Sequence, residues 1–162
     1  MKKGFGGVFS TLAGMTVGAV AGSVAAGTAS SKKIKEMAEG HVKVHELYMA
    51  FDKWLQVRQK GKTLVEYFEK QGYKTVAIYG MKELGERLYD ELYGSGITVK
   101  YIIDKNADLL YADVDVVTPD EKLESVDVIV VTAIYYFDEI EEMLSERVDY
   151  PIVSLEDILY EV

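Results

Sequence analysis

The chain has 162 residues, 49% of them apolar and 28% charged, enough for one domain of about 100 residues and a further segment. The absence of cysteine, with His41 and His45 the only histidines, excludes disulfide frameworks, thiolate metal sites, cysteine nucleophiles and a histidine-rich metal cage. The net charge of −9 is unevenly placed: residues 1–63 carry +6 and residues 64–162 carry −15, which speaks for a basic membrane- or partner-facing segment ahead of an acidic soluble domain that repels nucleic acid.

From Gly4 to Ser31 there are 28 residues without a charge, flanked by Lys2 and Lys3 and by Lys32, Lys33 and Lys35. That length spans a bilayer, although half of the chain's 14 glycines lie in it and temper its hydropathy. Ser10, Gly14, Gly18, Gly22 and Ala26 recur every fourth residue. Such a stripe lets a second backbone approach closely, and seven glycines would weaken a helix in water. A secretory signal ending near Ala25, Ala26 and Ala29, or a flexible Gly/Ala/Ser tail, competes with this reading. We read residues 1–33 as a membrane-associated, single-pass segment, with the lysines placing the following domain on the cytoplasmic side.

Residues 34–61 form an amphipathic connecting helix. Ile34, Met37, His41, Val44, Tyr48, Phe51 and Leu55 alternate by three and four, giving one apolar seam, and Leu47 and Trp54 widen it on one flank. The seam and the Gly14, Gly18 and Gly22 face together predict a homo-oligomer. His41 and His45 stand at i and i+4, but no third ligand has suitable spacing. Gly61-Lys62-Thr63 lacks a P-loop's first glycine, Gln56 standing in its place. Thr63 with Glu66 predicts a capping box for a short helix, Leu64 to Gln71, closed by Gly72.

Residues 62–162 change period. Strands are predicted at Thr75–Tyr79, Ile97–Ile103, Val114–Val117, Val126–Thr132 and Ile152–Ser154. Helical patterns run through Leu84, Leu88 and Leu92 and through Phe137, Ile140, Met143 and Leu144, with a terminal turn opened by Ser154. Alternating strands and helices imply an α/β fold, a small Rossmann-like parallel sheet of order 3-2-1-4-5, preceded by a hydrophobic and an amphipathic helix.

The turn after the first strand reads IYGMKELG. Against the dinucleotide fingerprint G-x-G-x-x-G, Gly80 and Gly85 fill the first and third positions and Lys82 replaces the second. A lysine there obstructs an ordinary pyrophosphate approach yet can pair with a phosphate. Asp104 lies 19 residues beyond Gly85, at the end of the second strand, where an acid either accepts ribose hydroxyls or caps its own turn at Asn106. Tyr135 and Tyr136 follow the fourth strand, where a cleft would open, and Glu139, Glu141, Glu142 and Glu146 read as a solvated helix face.

TVAIYGMKELGERLYDELYGSGITVKYIIDKN, followed by VDVVTPDE and VIVVTAIYYFDEI, resembles the Rossmann-like domains attached to bacterial surface-polysaccharide glycosyltransferases and sugar-modifying enzymes. It is also similar to the N-terminal nucleotide-sugar-binding domain of sialic-acid-type sugar O-acyltransferases. The resemblance implies that Gly80, Met81 and Lys82 form a phosphate loop, with Gly85 behind it, that Asp104 contacts ribose, and that Thr132 and Ala133 form the opposite wall. It implies a nucleotide-sugar ligand, and partners among envelope polysaccharide enzymes. No hexapeptide-repeat acyltransferase domain follows, so the expectation is an accessory module without chemistry of its own. An NAD(P)-binding oxidoreductase or sensor, or a degenerate scaffold that oligomerises at the membrane, are the alternatives.

Overall fold

The computed structural model describes the backbone of residues 9–162 and the side chains from Ser31 onward. Residues 4–30 of the uncharged run, with its Gly14, Gly18 and Gly22 face, therefore lie outside the described side chains. Among the described residues no helix is long and apolar enough to cross a membrane.

Helix α1 is Phe9–Gln59, and the chain divides within it into two compact units, residues 1–44 and 45–162. In the first, Lys32–Glu36 and Lys35–Glu39 are exposed i,i+4 pairs at 3.8 Å, while Ile34, Met37 and Val44 face solvent.

The second unit contains a five-stranded, all-parallel sheet in the order β3-β2-β1-β4-β5, as the sequence predicts. Its strands are β1 (Thr75–Tyr79), β2 (Thr98–Ile103), β3 (Asp115–Val117), β4 (Val128–Val131) and β5 (Ile152–Ser154). Its helices after α1 are α2 (Val65–Gln71), α3 (Glu83–Leu92), α4 (Phe137–Ser145) and α5 (Leu155–Glu161). Side chains alternate across the sheet. Val76, Ile78, Ile102, Val128 and Val130 pack with α2, α3, α5 and the end of α1; Ala77, Tyr79, Tyr101, Ile103, Ile129 and Val131 pack with Ile140 and Leu144 of α4.

The last turns of α1 belong to this core. Ala50, Trp54 and Val57 are buried in it, and Leu47 and Phe51 pack against it, whereas Tyr48 and Leu55 remain 62% and 56% exposed. The domain therefore takes up the flank of the predicted seam and leaves much of the seam itself in solvent. Glu91 of α3 fastens the junction. It accepts the Trp54 indole N–H and the Leu64 backbone N–H, each at 2.7 Å, and an Arg58 guanidinium N–H at 3.5 Å.

Several boundaries differ from expectation for local reasons. β4 begins at Val128 because Asp127 turns its carboxylate onto the Lys74 and Thr75 amides, both at 2.7 Å, and thereby caps the start of β1. Lys100 is an extra residue in β2: Val76 pairs with Val99 and Ala77 with Tyr101. This bulge lets Lys100 leave the ladder and donate to the Ser125 carbonyl at 3.1 Å. The capping box of α2 is half formed: the Thr63 N–H donates to Glu66 Oε1 at 3.1 Å, but the Glu66 N–H takes the Thr63 carbonyl, and α2 starts at Val65 with Leu64 as N-cap. Gly72 ends it at φ +78°, and Ser154 Oγ caps α5 by accepting the Glu156 N–H.

The helical crossovers are incomplete. Between β2 and β3 there is only a single 3-10 turn at Ala107–Leu109, and residues 118–127 between β3 and β4 contain no helix. Side chains hold that second connection in place of a helix's own bonds. Tyr101 and Tyr150 hydroxyls donate to the Glu124 carbonyl at 2.6 and 3.0 Å, and Arg147 donates to the carbonyls of Asp120 and Glu121.

Candidate functional site

In open parallel sheets, ligands bind beyond the carboxyl ends of the strands, where the strand order reverses. Here that point lies between β1 and β4. The Gly80–Lys82 turn, the start of α3 and Thr132–Ala133 meet at that point, in contact with one another, and Asp104 follows the end of β2 beside them.

The turn is built by two glycines with different tasks. Gly80 has φ +91°, a left-handed conformation that L side chains resist, and a Cβ there would meet Thr132 Oγ1 at 3.0 Å. Gly85 is on α3, and a Cβ there would stand 2.1 Å from the Gly80 carbonyl oxygen. Its bare backbone is what allows α3 to begin directly against the turn. Thr132 clamps the arrangement from β4: its buried hydroxyl donates to the Gly80 carbonyl at 2.7 Å and to the Tyr79 carbonyl at 3.1 Å. That hydroxyl holds the loop instead of facing the crevice, while Ala133 beside it is half-buried.

At the start of α3, Lys82 is the N-cap in an extended conformation and makes no side-chain capping bond. The N–H groups of Lys82, Glu83, Leu84 and Gly85 have no acceptor among the described residues, the usual state of a helix's first donors. Met81 differs. Its N–H donates to Asp104 Oδ2 at 3.0 Å, while Asp104 Oδ1 accepts the Asn106 N–H at 2.8 Å. Asp104 thus caps its own turn and also reaches across to the loop. Lys82, next in the chain to Met81, and Lys105, next to Asp104, are exposed, and neither forms an ion pair among the described residues.

Tyr79, the last residue of β1, escaped the sequence reading, which placed it in the apolar strand TVAIY. It is 4% exposed, and its hydroxyl is buried without a hydrogen-bond partner among the described residues. Burial first, then the negative charges of Asp104 and Asp120, push its pKa above the ordinary tyrosine value. Its side chain belongs to the α4-facing core.

The remaining candidates form no shared cluster with metal-ligating side chains among the described residues. Tyr135 and Tyr136 lie in a 3-10 turn, Ile134–Tyr136, after β4, with rings in edge contact at 5.1 Å. His41 and His45 are exposed, as are Glu139, Glu141, Glu142 and Glu146, and no group of three or more metal-ligating side chains converges among the described residues. A concavity lined by Phe51, Trp54, Leu55, Arg58, Arg87, Asp90 and Glu91 is the outer edge of the α1–α3 junction.

What the crevice defines is a Rossmann-like α/β unit with a tight glycine turn leading into a helix. Compared with protein-family models, curated proteins and solved structures, the chain matches nothing.

Proposed function

We propose that this protein is a membrane-tethered accessory module that binds a nucleotide or nucleotide-sugar at the carboxyl end of its sheet and serves enzymes of bacterial envelope polysaccharide synthesis. The observation that carries the ligand class is the contact between Gly85 and the Gly80 carbonyl. It brings the open N–H groups of α3 to the strand-reversal point, where they and the helix dipole favour a phosphate. Lys82 and Lys105 add positive charge to an otherwise acidic domain. The polysaccharide setting rests on the sequence resemblance, and the tether on residues 4–31. The module does no chemistry alone in this reading. Lys82, at the position where a dinucleotide pyrophosphate needs glycine, sets the NAD(P) oxidoreductase reading behind it.

A second reading, a Rossmann-like scaffold that oligomerises at the membrane, is favoured by the exposed seam residues Ile34, Met37 and Val44 in one unit and Tyr48 and Leu55 in the other. A second copy of this chain is the occupant it requires, joined through the Gly14, Gly18 and Gly22 face and the 34–59 helix.

The test is a thermal-shift screen of the full chain against NAD, NADP and uridine, cytidine and guanosine diphosphate sugars. A ligand at 100 times its Kd adds about 2.7 kcal/mol, a shift of several degrees. A diphosphate-sugar hit supports the module, an NAD(P) hit replaces it with the oxidoreductase, and silence from the whole panel leaves the scaffold.

A further inference from the structure

A surface helix shows polar residues on the side turned away from its core, and the last turns of α1 depart from that along one stripe. The domain takes up Leu47, Ala50, Trp54 and Val57, spaced by three and four, which uses one flank of the helix. Tyr48 and Leu55 stand exposed one residue further round, with Phe51 half-buried between them. These three fall at a, d and a of a heptad pattern that the sequence opens at Ile34 and carries through Met37, His41 and Val44. None of the seven is an acid, a lysine or an arginine. In the first unit Ile34, Met37 and Val44 are exposed as well, and the charges there pair off the seam, Lys32 with Glu36 and Lys35 with Glu39.

A seam of strict 3-4 spacing has a period of 3.5, and the surface that matches it is an identical helix, each side chain of one entering a hole of the other. His41 is its one strongly polar member, and a single polar residue at an a position specifies register and a two-stranded pair. The border of the seam narrows the occupant further. Beside Phe51 and Leu55 lies the groove toward α3, about 510 Å³ in volume, whose rim carries both signs: Arg58 and Arg87 with Asp90 and Glu91. That rim sums to zero, next to residues 64–162 with their −15, so two copies repel least where it lies. Heptad geometry sets the Trp54 flank of one helix against the Asp52 flank of the other, and so offers an acid to the two arginines. A two-fold axis makes the contact reciprocal.

We propose that a second copy of this chain covers the Tyr48, Phe51 and Leu55 face, α1 lying on α1 parallel and in register, with the Arg58 and Arg87 rim closing on Asp52 of the second copy. This deepens the second reading above, which requires a second copy, by fixing the layers, the direction and the charge contact of the interface. It holds whether or not the crevice takes a ligand.

The chain has no cysteine, so single cysteines report the contact directly. In a parallel, in-register pair each a residue stands opposite itself, within reach of a disulfide. Tyr48→Cys and Leu55→Cys of the full chain, oxidised with copper phenanthroline, are expected to link into dimers, while Gln56→Cys, also exposed but turned off the seam, is not. Sedimentation velocity is the second measurement. Wild type is expected as a dimer, and Leu55→Asp, which sets two carboxylates face to face in place of a leucine pair, is expected to associate about tenfold or more weakly. Should that variant not fold, the cysteine series still decides. Arg87→Glu is expected to weaken the dimer and Arg87→Glu with Asp52→Arg to restore it; a double variant as weak as the single one overturns the rim contact. A wild-type dimer in which neither seam cysteine links, in which Gln56→Cys links as well as they do, or in which Tyr48→Cys links only to Leu55→Cys in a mixture, overturns this interface and leaves the oligomer reading standing. A wild-type monomer overturns both.

Discussion

Replacing Gly85 with alanine tests the construction of the crevice at its tightest point. The added methyl would sit 2.1 Å from the Gly80 carbonyl oxygen, 3.1 Å from its carbon and 3.3 Å from Thr132 Oγ1. Ordinary contact begins at 3.4 Å, so α3 must withdraw from the turn by more than about 1 Å, and both parties are backbone that cannot rotate aside. Withdrawal also loosens Leu84, Leu88 and Leu92, all buried against the sheet. Overpacking of this kind costs about 1–3 kcal/mol and more where the backbone resists, against at most about 1 kcal/mol returned by alanine's helix propensity. We expect a net loss of about 1–3 kcal/mol by urea denaturation and a fall in melting temperature of several degrees. Gly40→Ala is the matched control: it too is a helical glycine, but nothing lies within 4 Å of its Cβ position, so it should gain up to about 1 kcal/mol. If Gly85→Ala proved as stable as Gly40→Ala, the contact between α3 and the β1 turn would not exist as described.

Two further outcomes are expected. Glu91→Ala removes the acceptor of the Trp54 indole and the Leu64 amide and should cost about 2–3 kcal/mol; emission from Trp54, the chain's single tryptophan, should move to the red, and unchanged emission and stability would refute the junction. Hydrogen bonds from the Lys74 and Thr75 amides hold the Asp127 carboxyl below its ordinary value. A group depressed on folding stabilises fully above its unfolded pKa, near 4, and loses that contribution as pH falls through the folded value. Wild type should therefore exceed Asp127→Asn in stability at pH 7, with the gap closing below pH about 4; a gap that widens in acid would contradict the assignment.

The strand order was legible because β-branched runs such as TVAIY and VIVV are separated by glycine turns and amphipathic stretches, and only a few parallel arrangements satisfy that alternation. The Lys100 bulge was not, since the run ITVKYII has no signal of which residue drops out of the ladder. Nor was the face on which α1 packs. Periodicity located an apolar stripe through Tyr48 and Leu55, but Leu47 and Trp54 on its flank meet the domain, and that choice depends on where α3 and its Glu91 lie. At the site, spacing foretold the positions of Gly80, Gly85 and Asp104. The capping of Asn106 by Asp104 is a local contact, one of the two roles that an acid at a strand end suggests. The bond from Met81 was not foreseeable, because it is created by the register of β1 against β2, 23 residues apart in the chain. Tyr79 was hidden for a similar reason: within a strand it reads as one more large apolar residue, and its orphaned hydroxyl becomes visible only when its surroundings are known.

Composition would cut this protein at residue 61, after the basic third and before the first period-two strand. The packing cuts it elsewhere. With Ala50, Trp54 and Val57 in the same core as Phe68 and Leu88, the last turns of α1 act as the lid of the sheet's layer and not as a linker to it. A fragment beginning at residue 62 would bare the apolar surface of Leu64 and Phe68 and leave Glu91 without Trp54, whereas one beginning at residue 45 keeps the whole layer. Anyone moving this domain into another chain must carry that stretch of helix along, because the end of α1 and the sheet are one folded object.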